Sequence, residues 1–158
     1  MKGQKVTVSV IGGHEITKEI EQIAQKVGQI IANEGAVLVC GGLDGAMKAA
    51  AKGAKSAGGL TVGILPGKDK KDANPYIDIA LPTSIGYARN AIVACSADFI
   101  VALPGSHGTR SEISYGLVFG RPIIDLGNWN IEGTIKVSGI ADAEKKIKEL
   151  IKKIRHKD

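Results

Sequence analysis

Short apolar runs alternate along this chain with longer segments whose apolar residues recur every three or four positions. The short runs are typical of β-strands, and they lie at residues 5–11, 36–40, 60–65, 98–103 and 122–126. The periodic segments predict amphipathic helices at residues 16–31, 45–52, 86–95, 108–119 and 140–154. Weaker runs predict two more strands at residues 76–80 and 134–137. The alternation predicts crossover connections and a mostly parallel α/β sheet, in a single domain over residues 1–158.

Glycine-rich turns follow three of the predicted strands, after Ile11, Cys40 and Leu103. In a parallel α/β sheet, the carboxyl ends of the strands meet at one edge, and ligands bind there. The three turns are therefore expected to lie at the same edge. Asp44 is predicted to cap the helix that follows the second turn.

The turn after Leu103 precedes a helix that is predicted to begin near Gly108. Gly105 and Gly108 allow the backbone to approach a ligand closely. The first amide groups of a helix have no intrahelical partner, and together with the helix dipole they form an anion site suited to phosphate. Thr109 adds a hydroxyl donor. Glu112 is expected at the rim of this pocket, or else it only stabilises the start of the helix.

The two other glycine turns match no standard nucleotide motif. A dinucleotide fingerprint needs glycine at its first, third and sixth positions, and the turn at residues 40–45 begins with Cys40. Gly12 and Gly13 have no third glycine behind them, and the chain contains no Gly-Lys-Ser/Thr triplet of a P-loop. The sequence therefore gives little support to an ordinary NAD or ATP site.

The composition argues against membrane proteins, secreted proteins and proteins built on metal or disulfide sites. The chain has 158 residues with 44% hydrophobic and 23% charged residues, as in a globular domain. It contains no apolar run of the ~20 residues that span a membrane and no signal-peptide pattern. Its two cysteines fit no metal or disulfide framework. We therefore expect a soluble, cytoplasmic protein that needs no metal.

The net charge of +5 is concentrated at the C-terminus, where residues 141–158 contain seven basic and four acidic residues. Lysines on an amphipathic helix usually form a solvated face. Aromatic residues are only 4% of the chain, which is few for stacking on single-stranded nucleic acid. Nucleic acid is therefore not the expected partner.

The segment at residues 104–112, Pro-Gly-Ser-His-Gly-Thr-Arg-Ser-Glu, resembles the Pro-Gly-Gly-x-Gly-Thr-x-x-Glu motif of the LOG or lysine-decarboxylase-like (SLOG) superfamily. Residues 39–47, 59–67 and 88–92 are similar to its small single-domain branch, which includes molybdenum cofactor carrier proteins. The resemblance implies a Rossmann-like three-layer sandwich with helices on both sheet faces, a homo-oligomer (dimer or tetramer) and a nucleotide-like ligand.

The same resemblance implies roles for two side chains. In the phosphoribohydrolase members, an arginine and the motif glutamate act on a nucleoside 5′-monophosphate, and Arg89 and Glu112 stand at these positions. Carrier members bind their ligand without turnover. Ser106 replaces the second motif glycine, Arg110 replaces a commonly apolar residue, and Ser111 stands where hydrolases tend to have a second acid. The last two departures favour a carrier.

The predicted ligand-binding residues come from the three turns and from the segment around Arg89. They are Gly12, Gly13, Gly41, Gly42, Arg89, Asn90, Gly105, Ser106, His107, Gly108, Thr109 and Glu112. His107 can titrate near neutral pH, although a side chain at this position is expected to face solvent. Tyr87 and Trp129 are able to stack on a base or to pack in the core. No cofactor is required, but a nucleotide or the molybdenum cofactor is a candidate ligand.

Three hypotheses follow. The first is a soluble binding protein for a phosphorylated nucleotide-like ligand, with the molybdenum cofactor as a candidate. The second is a LOG-type nucleoside 5′-monophosphate phosphoribohydrolase, in which Arg89 and Glu112 are catalytic. The third is a nucleic-acid-binding relative of DNA-processing proteins. An oligomer is also favoured by the number of apolar residues on two helices, Ile92, Val93, Leu117, Val118 and Phe119.

Overall fold

The computed structural model describes residues 3–157, so that residues 1, 2 and 158 of the predicted domain lie outside it. Within residues 3–157, seven strands form one sheet: β1 (Thr7–Ile11), β2 (Val37–Cys40), β3 (Thr61–Leu65), β4 (Ile79–Pro82), β5 (Phe99–Ala102), β6 (Ile123–Asp125) and β7 (Ile135–Lys136). In the same part of the chain, five α-helices cover the sheet: α1 (Lys18–Asn33), α2 (Ala46–Ser56), α3 (Arg89–Cys95), α4 (His107–Val118) and α5 (Ile140–Arg155). None of these helices is long and apolar enough to cross a membrane.

The sheet has the strand order β4-β3-β2-β1-β5-β6-β7, and each pair of neighbours is parallel. Helices α1, α2 and α5 pack on one face, and α3 and α4 pack on the other. The predicted three-layer, Rossmann-like sandwich is therefore confirmed. The strand order reverses between β1 and β5, and such a reversal opens a crevice at the carboxyl edge of the sheet.

The central strands are apolar on both faces because helices cover both. Every residue of β2 and β5 is buried, and Phe99 and Ile100 are completely so. Ser9 and Asp125, two polar side chains inside the core, are hydrogen-bonded, as most buried polar groups are. The Ser9 hydroxyl donates to the Val93 carbonyl over 2.6 Å. The Asp125 carboxylate accepts hydrogen bonds from three backbone amides of the loop after β6.

Three predicted boundaries are corrected by tertiary contacts. The fourth strand lies at Ile79–Pro82 rather than at 76–80, because the Asp78 side chain accepts a hydrogen bond from the Thr61 amide just before pairing begins. The predicted helix at 86–95 begins as a 3-10 turn and becomes α-helical only at Arg89. Asp44 does not cap α2. Gly45 occupies that position, and the Ala46 amide donates to the Gly13 carbonyl over 2.9 Å.

Helices α1 and α2 touch through their backbones at two glycines. A Cβ on Gly28 would lie 1.9 Å from the Ala50 carbonyl oxygen, and a Cβ on Gly53 would lie 1.9 Å from that of Gln25. Real atoms cannot approach so closely, so any side chain here would force the helices apart. This contact holds α2, and with it the turn before α2, close to β1.

We expect Gly28→Ala to lower the free energy of unfolding by about 2–3 kcal/mol, because overpacking outweighs the ~1 kcal/mol that alanine gains inside a helix. Gly108→Ala is the matched control, since Gly108 is also a helical glycine, but a Cβ there would meet only Asn90 Nδ2 at 3.9 Å, an ordinary van der Waals contact. Urea denaturation of both variants measures the difference. Equal stability of the two variants would contradict the backbone contact.

Candidate functional site

The turns after β1 and β5 are joined at the carboxyl edge of the sheet, where the strand order reverses. The Gly13 amide donates to the Pro104 carbonyl over 2.9 Å, and a Cβ on Gly13 would lie 3.3 Å from the Gly105 Cα. The Gly13 carbonyl in turn accepts the first amide of α2. The turn after β1 is therefore clamped between the turn after β5 and the start of α2.

A narrow cleft of about 90 Å³ opens beside this clamp. It is lined by residues of the β1 and β5 turns, of the first turns of α2 and α4, and of the segment that leads into α3. These are Gly12, Gly13, His14, Met47, Tyr87, Arg89, Asn90, Ser106, Gly108, Thr109 and Glu112. The fold thus brings together eight of the twelve predicted ligand-binding residues.

Arg89 is a buried cation, since only 5% of the residue is exposed. Its Nε donates to the Ile64 carbonyl over 2.8 Å, one Nη donates to Asn90 Oδ1, and the other lies 3.4 Å from the Gly41 carbonyl. These contacts use three of the five N–H groups of a guanidinium. Within residues 3–157 no carboxylate forms an ion pair with it. Burial lowers the pKa of Arg89, but an arginine remains charged in a protein.

Asn90 connects the arginine to the start of α4. Its Oδ1 accepts from Arg89, while its Nδ2 donates to Ser111 Oγ over 3.1 Å and lies 3.5 Å from the Gly108 carbonyl. The residue is 2% exposed. Asn90 therefore fixes the guanidinium relative to the helix terminus beside it.

Helix α4 begins at His107, and its N-cap residue Ser106 makes no side-chain capping bond. The first backbone bond at this end is donated by Arg110 to the Ser106 carbonyl, so the amides at 107–109 precede the helical ladder. A Cβ on Gly105 would lie 2.1 Å from Thr109 Oγ1, which explains the glycine there. Ser106 is extended, with φ −127°, and its replacement of the motif glycine therefore causes no backbone strain.

The sequence predicted Glu112 at the rim of the pocket, but the residue is buried in the cleft wall. It is 7% exposed, and its carboxyl group makes no hydrogen bond or ion pair within the described part of the chain. Burial raises the pKa of Glu112 to about 8, although the charge of Arg89 opposes the rise. At neutral pH the side chain is therefore mainly a neutral carboxylic acid beside a cation.

Four predicted ligand-binding residues lie outside the cleft wall. A Cβ on Gly41 would lie 2.7 Å from both an Arg89 Nη and Met47 Sδ, so Gly41 makes room for the guanidinium. Gly42, with φ +78°, packs against Leu65 and Gly63. The remaining two are Gly105, which faces a neighbouring groove, and His107, which is exposed on the outer side of α4.

Three cleft residues were absent from the predicted set, namely His14, Met47 and Tyr87. His14 directly follows Gly12 and Gly13, and this place in a glycine turn is the sequence signal that could have indicated a cleft residue. Met47 lies in the first turn of α2 and carries no sequence signal for a site. Tyr87 is 81% exposed, which fits neither core packing nor a buried stacking position.

A wider groove of about 550 Å³ adjoins the cleft on the side of α1. Gly13, His14 and Ser106 line both cavities. The other groove residues are Glu15, Ile16, Thr17, Ile20, Pro104 and Gly105. Across residues 3–157, no three His, Cys, Asp or Glu side chains are arranged to hold a metal ion.

Residues 5–156 match the SLOG cluster4 family. The chain belongs to this family. The match covers nearly the whole sequence and confirms the superfamily that the motif at residues 104–112 resembles.

Two solved structures are similar to this SLOG cluster4 chain over almost its full length. The molybdenum cofactor binding protein of the phototrophic bacterium Rippkaea orientalis is 34% identical with a TM-score of 0.88, covering 95% of this chain and 99% of that one. The molybdenum cofactor carrier protein of Chlamydomonas reinhardtii is 30% identical with a TM-score of 0.85, covering 94% and 99%.

A relative with a different activity is the cytokinin riboside 5′-monophosphate phosphoribohydrolase of Mycobacterium tuberculosis. It is 32% identical over an alignment of 120 positions that covers 70% of this chain and 64% of the relative. The match thus spans just under two thirds of that relative's length. Both binding proteins and a hydrolase are therefore similar to this SLOG cluster4 chain.

The burial of Glu112 predicts a pH-dependent stability. Because its pKa is raised in the folded state, the contribution of Glu112 to stability is fully present below pH 4.5 and is lost progressively as the pH rises to about 8. At about 1.4 kcal/mol per pKa unit, the loss between pH 5 and pH 9 is about 4 kcal/mol. Glu112→Gln cannot ionise, so we expect it to match the wild type at pH 5 and to be more stable at pH 9.

Denaturant unfolding at the two pH values measures this difference. Glu132→Gln, which removes an exposed carboxylate from the loop before β7, is the control and should follow the wild type at both. If Glu112→Gln loses as much stability as the wild type between pH 5 and pH 9, ionisation of Glu112 does not cause the loss, and the raised pKa is contradicted.

Proposed function

We propose that this chain is a binding protein for a phosphorylated, nucleotide-like ligand. The observation that carries the proposal is Arg89, a buried cation without a carboxylate partner in the described residues, facing a cleft at a helix N-terminus. Burying a charge without a partner costs several kcal/mol. A phosphate in the cleft would supply the missing anion.

Three kinds of donor are available to such a phosphate. The amides at residues 107–109 begin α4, and the dipole of the helix favours negative charge there. Arg89 retains two N–H groups for a forked, charge-assisted contact. Thr109 contributes its hydroxyl group. Glu112 adds no repulsion as long as it is neutral, and a protonated carboxyl group is itself a donor.

The molybdenum cofactor is a candidate ligand within this class. The two similar structures of Rippkaea orientalis and Chlamydomonas reinhardtii are of proteins that bind it, and the cofactor carries a phosphate on a pterin. This chain would then hold it as cargo, through the phosphate, without changing it. Nucleoside monophosphates present the same phosphate and are tested beside it.

Phosphoribohydrolase activity is the second candidate, supported by the Mycobacterium tuberculosis relative and by the joint presence of Arg89 and Glu112 in the cleft. Cleavage of an N-glycosidic bond builds positive charge on the ribose, which an ionised carboxylate stabilises. Glu112 is mainly neutral at pH 7 because of its burial, and a phosphate beside it would favour the neutral form further. This environment favours binding over hydrolysis.

Arg89→Ala should weaken binding of a phosphorylated ligand ten- to a hundredfold, because it removes a charge-assisted contact worth about 1.5–3 kcal/mol. Isothermal titration with AMP, GMP and a pterin monophosphate measures the change. Arg110→Ala is the matched control: Arg110 lies one helical position beyond Thr109 but outside the cleft, over the Trp129 ring at 5.6 Å. Unchanged affinity in Arg89→Ala would make Arg89 a purely structural residue.

Glu112→Gln distinguishes a binding protein from a phosphoribohydrolase when affinity and release of free base are measured in the same samples. For a binding protein, we expect its affinity to stay within a few-fold of the wild type and no free base to appear with either protein. For a hydrolase, the wild type would release base from a monophosphate and Glu112→Gln would not. Base release by the wild type, lost in this variant, would replace the binding proposal with the enzymatic one.

A homo-oligomer is the second part of the proposal. Helix α4 exposes an apolar face, with Val118 78%, Phe119 48% and Tyr115 39% exposed. Such a patch is typical of a contact with another protein. Light scattering at micromolar concentration should give a dimer or tetramer, and Val118→Asp should shift it towards the monomer. A monomeric wild type would rule this part out.

A further inference from the structure

The cleft accommodates only one end of a nucleotide-like ligand. Its volume is about 90 Å³, whereas pockets that enclose small ligands usually measure about 300–1,000 Å³. The phosphate occupies the cleft under the proposed function, on which this inference rests. The rest of the ligand therefore has to lie in a cavity that opens from the cleft.

Two cavities adjoin it. The groove on the α1 side shares Gly13, His14 and Ser106 with the cleft and has about 550 Å³. A smaller pocket on the α3 side shares His14, Tyr87 and Arg89 with it and has about 240 Å³. Only the groove falls within the usual size of a ligand pocket, so it is the better place for a fused heterocycle.

The groove combines apolar walls with one carboxylate. Ile16, Ile20 and Pro104 provide surfaces for a flat ring. The Thr17 hydroxyl oxygen accepts the Ile20 amide at the start of α1, and its O–H group remains available as a donor. Glu15 is the single acidic residue of the lining, it is exposed, and its carboxylate has no hydrogen bond or ion pair in the described residues.

An ionised carboxylate accepts two parallel hydrogen bonds and donates none. Guanine and pterin rings carry a ring N–H beside an exocyclic amino group, so one edge offers two parallel donors. Adenine offers an amino group beside a ring acceptor, which faces a carboxylate oxygen unfavourably. Hypoxanthine keeps the ring N–H but lacks the amino group.

We propose that the groove binds a guanine or pterin ring by the edge that carries the ring N–H and the amino group. Glu15 selects this edge by accepting one hydrogen bond from each of these two groups. The ligand then spans both cavities, with its phosphate at Arg89 and its ring beside α1. His14, which lies where the cavities meet, contacts the linking sugar or side chain.

Isothermal titration of the full chain with GMP, IMP, AMP and a pterin monophosphate tests the selection. We expect GMP and the pterin to bind at least tenfold more tightly than IMP and AMP. Glu15→Gln should bring GMP to within twofold of IMP, because the remaining amide oxygen can accept the ring N–H that both bases carry but not the additional amino N–H of guanine as well. Glu19→Gln, an exposed carboxylate on α1 outside the groove, is the matched control and should change neither.

Failure of this inference is distinguishable from failure of the proposed function. If all four compounds bind equally and Arg89→Ala weakens all of them, the phosphate site stands and the selection by Glu15 is overturned. If Tyr87→Ala weakens binding of the ring compounds and Glu15→Gln does not, the ring lies in the smaller pocket. If no compound binds, both the inference and the phosphate site are overturned.

Discussion

The site is built around a buried guanidinium that has no carboxylate partner among residues 3–157. Arg89 lies almost fully inside the protein, and its guanidinium donates hydrogen bonds there to the Ile64 carbonyl and the Asn90 side chain. Neutral acceptors stabilise the orientation of a cation but do not neutralise it. Gly41 is a glycine because any Cβ would displace the same group. The end of β2, the end of β3 and the start of α3 are thus all shaped around one side chain.

The fold places this cation beside the N-terminus of α4. Parallel strands place their carboxyl ends together, and the order reversal between β1 and β5 opens the crevice into which α4 directs its first amides. Asn90 ties the guanidinium to this helix end. Glu112, one turn into α4, is buried beside the cation, and the resulting rise of its pKa keeps it from cancelling the positive potential at neutral pH. The net local charge favours an anionic ligand.

The strands, the helix order and the two charged cleft residues were predictable, because they depend on local apolar spacing and on the motif at residues 104–112. The rest depends on contacts between distant segments. Gly41 and Gly42 are among the predicted ligand-binding residues, but the chain folds them against Arg89 and Leu65. Gly45 rather than Asp44 begins α2, since the Gly13 carbonyl takes its first amide. The burial of Glu112 and the position of His14 likewise follow from packing between turns, which no local pattern encodes.

The central claim is that the charge of Arg89 is completed by a phosphorylated ligand. Its most direct test is to purify the protein and Arg89→Ala in parallel, denature both, and identify the released small molecules by mass spectrometry. The account predicts a phosphorylated heterocyclic compound released from the wild type and depleted from the variant. A wild type that releases no phosphorylated compound, and whose melting temperature none of the nucleoside or pterin monophosphates raises, would contradict it.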